Sequence, residues 1–172
     1  PYTDEELLHV IFESKKYFPR YLRVTRLIRD IPATSIIGGS KVSNLRQVAH
    51  EMMKKSGLTC ACIRCREIRG ESIDVKNIEL RMMEYEASQG QEFFLSFDDA
   101  TRDKLCALLR LRFSSYSLNG KKHFIKELEG AALIRELHTY GAQVPLSERD
   151  ERASQHMGFG KRLVAKAEEI AK

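Results

Sequence analysis

Two short motifs in this chain bring together residue types that can do chemistry. The first, Cys60-x-Cys62-x-x-Cys65, places three thiols within six residues. A loop of this length can wrap one Zn²⁺, for which thiolates are preferred ligands. Structural zinc takes four ligands, and the candidates for the fourth are Cys106, His50 or a residue outside this sequence. Free thiols and an iron–sulfur cluster are the alternatives, but the one-residue gap does not match common cluster spacings.

The second motif is the run Gln155-His-Met-Gly158-Phe159-Gly160, which precedes an amphipathic segment. Glycines let backbone N–H groups approach a phosphate closely, and a helix start adds unpaired N–H donors and partial positive charge. Lys161 supplies a full positive charge at the same place. The pattern resembles the pyrophosphate clamp of acetyl-CoA-dependent N-acetyltransferases, and an ordinary turn before a helix is the alternative.

The leading part of the chain predicts two helices and one strand. Thr3 and Glu6 form a capping box that begins a helix over residues 4–18. Residues 21–30 are rich in aliphatic and β-branched side chains and predict a strand. Asn44 and Gln47 form a second capping box before an apolar-periodic helix that stops at Gly57. This order indicates an α/β architecture in the style of an α/β barrel.

The later part of the chain predicts an antiparallel sheet followed by a helix. The strand candidates lie at 78–87, 91–97, 104–113 and 131–140, and in the third of them the apolar residues share one face at period two. Residues 158–172 predict a helix whose apolar stripe includes Phe159, Leu163 and Ala167. The expected fold class is therefore α/β, with three or four strands leading into the glycine turn and the last helix.

Composition sets limits on the partners. The 172 residues carry a formal net charge of +5, and 42% are hydrophobic, which suffices for a core. No apolar run approaches a membrane span and no signal-peptide pattern begins the chain, so we expect a cytoplasmic protein with no membrane partner. From residue 15 to 29 there are six basic residues and no acidic one, with aromatics interleaved. Such a segment predicts RNA binding, with a solvated surface as the alternative. The candidate RNA contacts are Lys15, Lys16, Arg20, Arg23 and Arg26.

Six stretches carry a resemblance to a known family. They are Arg29–Pro32, Cys60–Glu67, Leu108–Arg112, Arg135–Gly141, Val144–Pro145 and Gln155–Gly160. In this order, and over nearly the whole chain, they resemble the catalytic third subunit of Elongator in its archaeal or bacterial form. The resemblance implies a radical S-adenosylmethionine barrel joined through a zinc-bearing linker to a C-terminal acetyltransferase-like domain of the GNAT type.

The resemblance also implies a reaction. The family modifies carbon 5 of the wobble uridine in tRNA, and acetyl-CoA supplies the carbon unit. A 5′-deoxyadenosyl radical is thought to activate the acetyl methyl group, and hydrolysis of the thioester leaves a carboxymethyl group. The ligands of the [4Fe–4S] cluster, which works with S-adenosylmethionine, are expected upstream of this sequence. The segment by itself is expected to bind acetyl-CoA at most.

The resemblance divides the chain into three parts. Residues 1–57 correspond to the end of the barrel, 58–70 to the zinc linker, and 71–172 to an incomplete GNAT-type α+β domain. The residues that correspond to the acetyl-pantetheine strand are Glu136, Leu137, His138 and Thr139, and those of the pyrophosphate turn are Gln155, Gly158, Phe159, Gly160 and Lys161. No catalytic residue is assigned, because the polarity of Glu136 and His138 fits an ordinary strand as well as a general base.

Two further functions stay open on the sequence. A protein lysine N-acetyltransferase needs a general base and a peptide cleft, but the basic leading half suits RNA better than basic protein tails. A zinc-organised RNA-binding scaffold with a vestigial acyl pocket is the non-enzymatic alternative. The expected partners are tRNA and acetyl-CoA, with a second copy of the chain or Elongator-like subunits as candidates for assembly.

Overall fold

A computed structural model describes residues 1–27, 32–42, 44–141 and 157–172. The chain divides into two compact units, Pro1–Arg66 and Glu67–Lys172. The division falls inside the segment 58–70 that the sequence assigns to a linker. Among the described helices, none is long and apolar enough to cross a membrane.

The first unit is built on two helices, α1 (Asp4–Lys16) and α2 (Leu45–Lys55), and on a short helix α3 (Ile63–Arg66). The capping box at the start of α1 is confirmed, because the Glu6 N–H donates to Thr3 Oγ1 at 3.2 Å and the Thr3 N–H donates to Glu6 Oε2 at 2.8 Å. Ile11 of α1 packs in one apolar cluster with residues of α2. These buried contacts hold the two helices together.

Two predictions for the first unit are wrong. The side chain of Asn44 forms no capping bond to α2, since its backbone (φ −111°, ψ 29°) is not in the extended region from which an N-cap side chain reaches back to the helix. The described residues 21–27 of the predicted strand at 21–30 form no strand. Their carbonyls accept from other donors: Leu22 O from the Ile63 N–H at 2.9 Å, and Val24 O from Arg46 at 2.9 Å.

The second unit contains an antiparallel sheet in which the four strands neighbour each other in chain order. The predicted strands are confirmed to within two residues at each end. Across the centre of the sheet, Leu109 lies opposite Leu95 on one side and Leu137 on the other. The strands are β1 (Ile78–Ala87), β2 (Gly90–Asp99), β3 (Lys104–Phe113) and β4 (Ala132–Thr139).

A helix covers one face of this sheet. Between β3 and β4 lies the short helix α4 (Ser115–Leu118), and α5 (Phe159–Ala171) ends the chain. Phe159, Leu163 and Ala167 of α5 are buried, which confirms the predicted apolar stripe. The ring of Phe159 stacks on the ring of Phe97 with 4.8 Å between centroids and 27° between planes. This contact fixes the beginning of α5 on the sheet.

Candidate functional site

The beginning of α5 presents backbone amides that the helix itself does not bond. Gly158 is the N-cap residue and has left-handed backbone angles (φ +67°, ψ 18°), which a glycine adopts without the steric cost that a Cβ brings. The Arg162 N–H donates to Gly158 O at 3.1 Å and makes the first backbone hydrogen bond of the helix. The amides of residues 159–161 therefore have no acceptor within the helix, and such a terminus can bind an anion.

The end of β4 lies against this helix terminus. A Cβ added to Gly160 would lie 4.0 Å from Leu137 Cδ2 and 4.0 Å from Thr139 Oγ1. Among the described residues, β4 pairs only with β3, so no described strand covers its other edge. A strand edge beside a helix N-terminus can hold an extended chain that carries amides and ends in a phosphate.

The side chains at this place differ in what they can do. Phe159 is 1% exposed and belongs to the core, so only its backbone can reach a ligand. Glu136 forms an ion pair with Arg110, in which Oε2 and Nε are 2.9 Å apart. His138 is exposed, with its ring 4.5 Å from the ring of Tyr140. Lys161 is exposed beside the free amides, and Gln155 lies outside the described residues.

A buried charge network on the sheet escaped the sequence analysis. The side chain of Glu92 is 2% exposed and accepts from Arg112 at 2.8 Å, Arg135 at 2.5 Å and the Tyr85 hydroxyl at 3.2 Å. Burial by itself would raise the pKa of Glu92, but the hydrogen bonds from the two arginines outweigh it and lower the pKa. Burial, then the charge of Glu92, raises the pKa of Tyr85. The sequence signal for this network was the presence of Glu92, Arg112 and Arg135 within predicted strands.

The three cysteines of the first motif come together in the first unit. Their sulfur atoms all lie within 4.8 Å of one another, and Cys60 and Cys62 are buried. The turn that enters α3 gathers them, since the Cys65 N–H donates to Cys62 O at 3.1 Å. Hydrogen bonds from the other two thiols lower the pKa of Cys60 to about 2, and donating to Cys60 raises the pKa of Cys65. Three sulfur donors at this spacing fit a soft or borderline metal ion.

Within the described residues, this group consists of the three cysteine sulfurs. Neither of the two residues that the sequence offers as a fourth ligand belongs to it. His50 is exposed on α2. Cys106 is buried in β3 of the second unit. Burial, together with the charges of Asp98 and Asp99, raises the pKa of Cys106 to about 12.

The candidate RNA contacts differ in exposure. Lys15 is 1% exposed and its Nζ lies 3.5 Å from Cys65 Sγ, so it faces the cysteines and not the solvent. The structure thus differs from the sequence expectation for Lys15. Lys16 is exposed and pairs with Glu13 at 2.6 Å. Arg20 and Arg23 are half-buried, and Arg26 is exposed.

Comparisons with known proteins give one consistent result. No protein-family model matches the chain. It is 42% identical over 180 residues to the tRNA uridine(34) acetyltransferase of Methanocaldococcus jannaschii, covering 100% of this chain and 32% of that protein. It is 38% identical over 175 residues to Elongator complex protein 3 of Saccharomyces cerevisiae, covering 99% of this chain and 31% of that protein.

A solved structure agrees in fold. Methanocaldococcus infernus Elp3 with an N-terminal deletion matches with a TM-score of 0.83 and 43% identity, over 100% of this chain and 41% of that one. The α/β class with its antiparallel sheet is therefore confirmed. The chain spans about a third of the length of the curated relatives it matches.

The grouping of Cys60, Cys62 and Cys65 predicts that substitution of one of these cysteines, but not of Cys106, reduces metal binding. Replacing Cys62 (Cys62→Ser) is expected to reduce bound metal from about one ion to well under a half per protein molecule, because a buried donor is lost. Metal released to a chromogenic chelator after unfolding measures it. The matched variant Cys106→Ser is expected to keep its metal, and a loss there instead would make Cys106 a ligand.

Proposed function

We propose a function from the premise that this chain belongs to the family of the tRNA uridine(34) acetyltransferases and Elongator complex protein 3. We propose that it is the acetyl-CoA-binding and RNA-contacting part of an enzyme that modifies carbon 5 of the wobble uridine of tRNA. The observation that carries the proposal is the approach of Gly160, in the first turn of α5, to Leu137 and Thr139 of β4.

Acetyl-CoA suits this arrangement in two ways. Its pyrophosphate would accept hydrogen bonds from the amides of residues 159–161, and Lys161 adds a full positive charge beside them. Its pantetheine arm carries two amides, and it would lie along the free edge of β4 at residues 136–139 as an added strand does. Exposed Leu137 offers an apolar surface for the arm. In this proposal Phe159 contributes its backbone amide, while its ring holds the helix in place.

Zinc is the proposed occupant of the cysteine group. Cys60, Cys62 and Cys65 would hold it, since thiolates are its preferred ligands. The ammonium of Lys15, 3.5 Å from Cys65 Sγ, would offset part of the negative charge that three thiolates bring to a buried place. Zinc there would tie Cys60 and Cys62, in the segment before α3, to Cys65 within α3, because metal binding and local folding are coupled in such sites.

The remaining chemistry is assigned to parts of the protein outside this sequence. A [4Fe–4S] cluster with S-adenosylmethionine would supply the 5′-deoxyadenosyl radical when bound there. The present chain would hold the acetyl donor and contact the RNA. In this proposal residues 1–57 complete the radical domain, 58–70 form the linker and 71–172 the acetyltransferase-like domain.

Protein lysine N-acetylation is the less favoured function. The relatives are named for tRNA uridine(34) or as Elongator proteins. The carboxylate of Glu136 is already held by Arg110 and is therefore a poor candidate for a general base.

Hydrolysis of acetyl-CoA tests the proposed function directly. In the intact protein, hydrolysis is expected to rise at least several-fold when tRNA is added, because the acetyl group and the uridine must meet in one site. Release of CoA, followed with a thiol reagent, measures it. Acetylation of peptides that needs no RNA would contradict the proposal and support the lysine N-acetyltransferase. RNA binding without CoA binding would support a scaffold.

Substitution of Gly160 tests the acetyl-CoA site. The variant Gly160→Leu is expected to weaken CoA binding more than about tenfold, or roughly 1.4 kcal/mol, because its side chain would fill the space beside β4. Calorimetric titration with CoA measures it. The matched variant Gly160→Ala adds a Cβ that meets its neighbours only at 4.0 Å and is expected to bind within about threefold of the unaltered protein. Equal binding by both variants would place CoA elsewhere.

Charge reversal tests the basic segment. The double variant Arg23→Glu with Arg26→Glu is expected to weaken tRNA binding and to reduce the slope of log affinity against log salt by about 1.4, since about 0.7 is lost for each single-strand phosphate contact. Fluorescence anisotropy at several salt concentrations measures both. Reversal of Lys54 and Lys55, exposed at the end of α2, is the control. An equal effect of the control pair would show that Arg23 and Arg26 are not specific tRNA contacts.

A further inference from the structure

The connection between β3 and β4 carries an exposed stack of aromatic rings, which we call the aromatic loop (residues 115–126). The rings of His123 and Phe124 stack with 4.5 Å between centroids and 25° between planes. Tyr116 presents its edge to His123 at 4.9 Å. Phe124 is 81% exposed, so the outer face of the stack is open to solvent.

The aromatic loop is ordered by its own hydrogen bonds. The Lys121 N–H donates to Tyr116 O at 2.9 Å, and the Ile125 N–H donates to His123 Nδ1 at 2.9 Å. Ser117 Oγ donates to Ala131 O at 2.9 Å and ties the loop to the start of β4. The rings are thus held in place without being buried. An exposed, contiguous apolar surface of this kind marks an interaction site more often than a packing feature.

The charge of the aromatic loop indicates the kind of partner. From residue 104 to 126 the sequence contains no acidic residue. In the sequence, exposed Lys121 and Lys122 precede the stacked rings and exposed Lys126 follows them, ahead of the exposed Glu127 and Glu129. Lysines beside an open aromatic face match the two features of an unpaired nucleotide, a phosphate and a base.

We propose that the aromatic loop binds single-stranded RNA, with one unstacked base on the outer face of Phe124 and neighbouring phosphates at Lys121 and Lys122. RNA loops offer such bases, whereas a paired helix keeps its bases stacked inside. The proposal rests on the proposed function for the source of the RNA. It adds an RNA contact carried by the second unit to the candidate contacts Lys16, Arg20, Arg23 and Arg26 of the first.

The test measures RNA binding by the intact protein and by variants of the aromatic loop. The probes are a tRNA anticodon stem-loop and an RNA duplex of equal length, and fluorescence anisotropy reports binding. The variant Phe124→Ala is expected to lose about tenfold in affinity for the stem-loop, within the ordinary range for one base–aromatic stack, and little for the duplex. Phe124→Leu keeps an apolar side chain without a ring and is expected to lose nearly as much.

Loss of the lysine charges and loss of the Phe124 ring are expected to change the salt dependence of RNA binding differently. The pair Lys121→Ala with Lys122→Ala is expected to lower the salt slope by about 1.4, whereas Phe124→Ala leaves the slope unchanged. The controls are Val75→Ala, at a residue 57% exposed, and Lys76→Ala, at the exposed residue beside it. Thermal unfolding monitors the fold of each variant, and the exposure of Phe124 predicts little change in it.

Each outcome of these measurements supports or overturns the proposed RNA contact at Phe124. Selective loss of stem-loop binding in the Phe124 variants supports the proposal. Wild-type affinity of Phe124→Ala, in a protein that still binds tRNA, overturns the aromatic-loop contact and leaves the proposed function standing. Full affinity of Phe124→Leu shows that an apolar contact is enough and overturns base stacking. No tRNA binding by the unaltered protein overturns both.

Discussion

The stacking of Phe159 on Phe97 is the contact on which the candidate site depends. It fixes the first residue of α5 against the sheet, with Phe159 fully buried. The left-handed turn at Gly158 begins the helix, and Gly160, which lacks a Cβ, approaches β4. Loss of this anchored ring would leave the first amides of α5 less firmly placed beside β4. One apolar contact thus positions a polar site, because close packing fixes atoms more precisely than exposed polar contacts do.

Buried charges in both units have partners of opposite or complementary character. Glu92 is surrounded by Arg112, Arg135 and Tyr85, and the ammonium of Lys15 lies beside the sulfur of Cys65. A charge taken out of water without a partner costs several kcal/mol, roughly, so each of these groups depends on its neighbours. The same reasoning separates Lys15 from the basic residues proposed to contact RNA. Lys15 is buried beside Cys65 and serves the cysteine group, whereas Arg26 is exposed at the surface.

The two units divide the proposed work. The first contains the cysteine group and the basic segment, and the second contains the glycine turn, the free edge of β4 and the aromatic loop. RNA contacts in both units would let the substrate be held by phosphates and by an unstacked base, which are recognised through different forces. Phosphate contacts weaken with salt, while stacking is nearly independent of it. A protein that uses both can bind tightly and still prefer a loop over a duplex.

Local pattern in the sequence determined much of this structure. Short apolar runs bounded by turn residues located the four strands, and the apolar stripe located α5, whose buried residues Phe159, Leu163 and Ala167 lie on that stripe. The spacing of Cys60, Cys62 and Cys65 likewise predicted a group of sulfurs, since so short a segment cannot keep them far apart. The helix start at Thr3 followed from a side-chain cap that is itself local.

Tertiary structure decided the rest, because the missing information was the identity of distant partners. Residues 21–27 have strand-like composition, but their carbonyls are bound by Ile63 and Arg46, so no strand forms there. Lys15 belongs to a basic run in the sequence and is buried against Cys65 in space. Patterns in the sequence predict strand 131–140 and the glycine turn, and the resemblance assigns both to one ligand without giving any distance between them. Only the fold places Gly160 beside Leu137 and Thr139, because the stacking of α5 on the sheet joins segments that lie far apart in the chain.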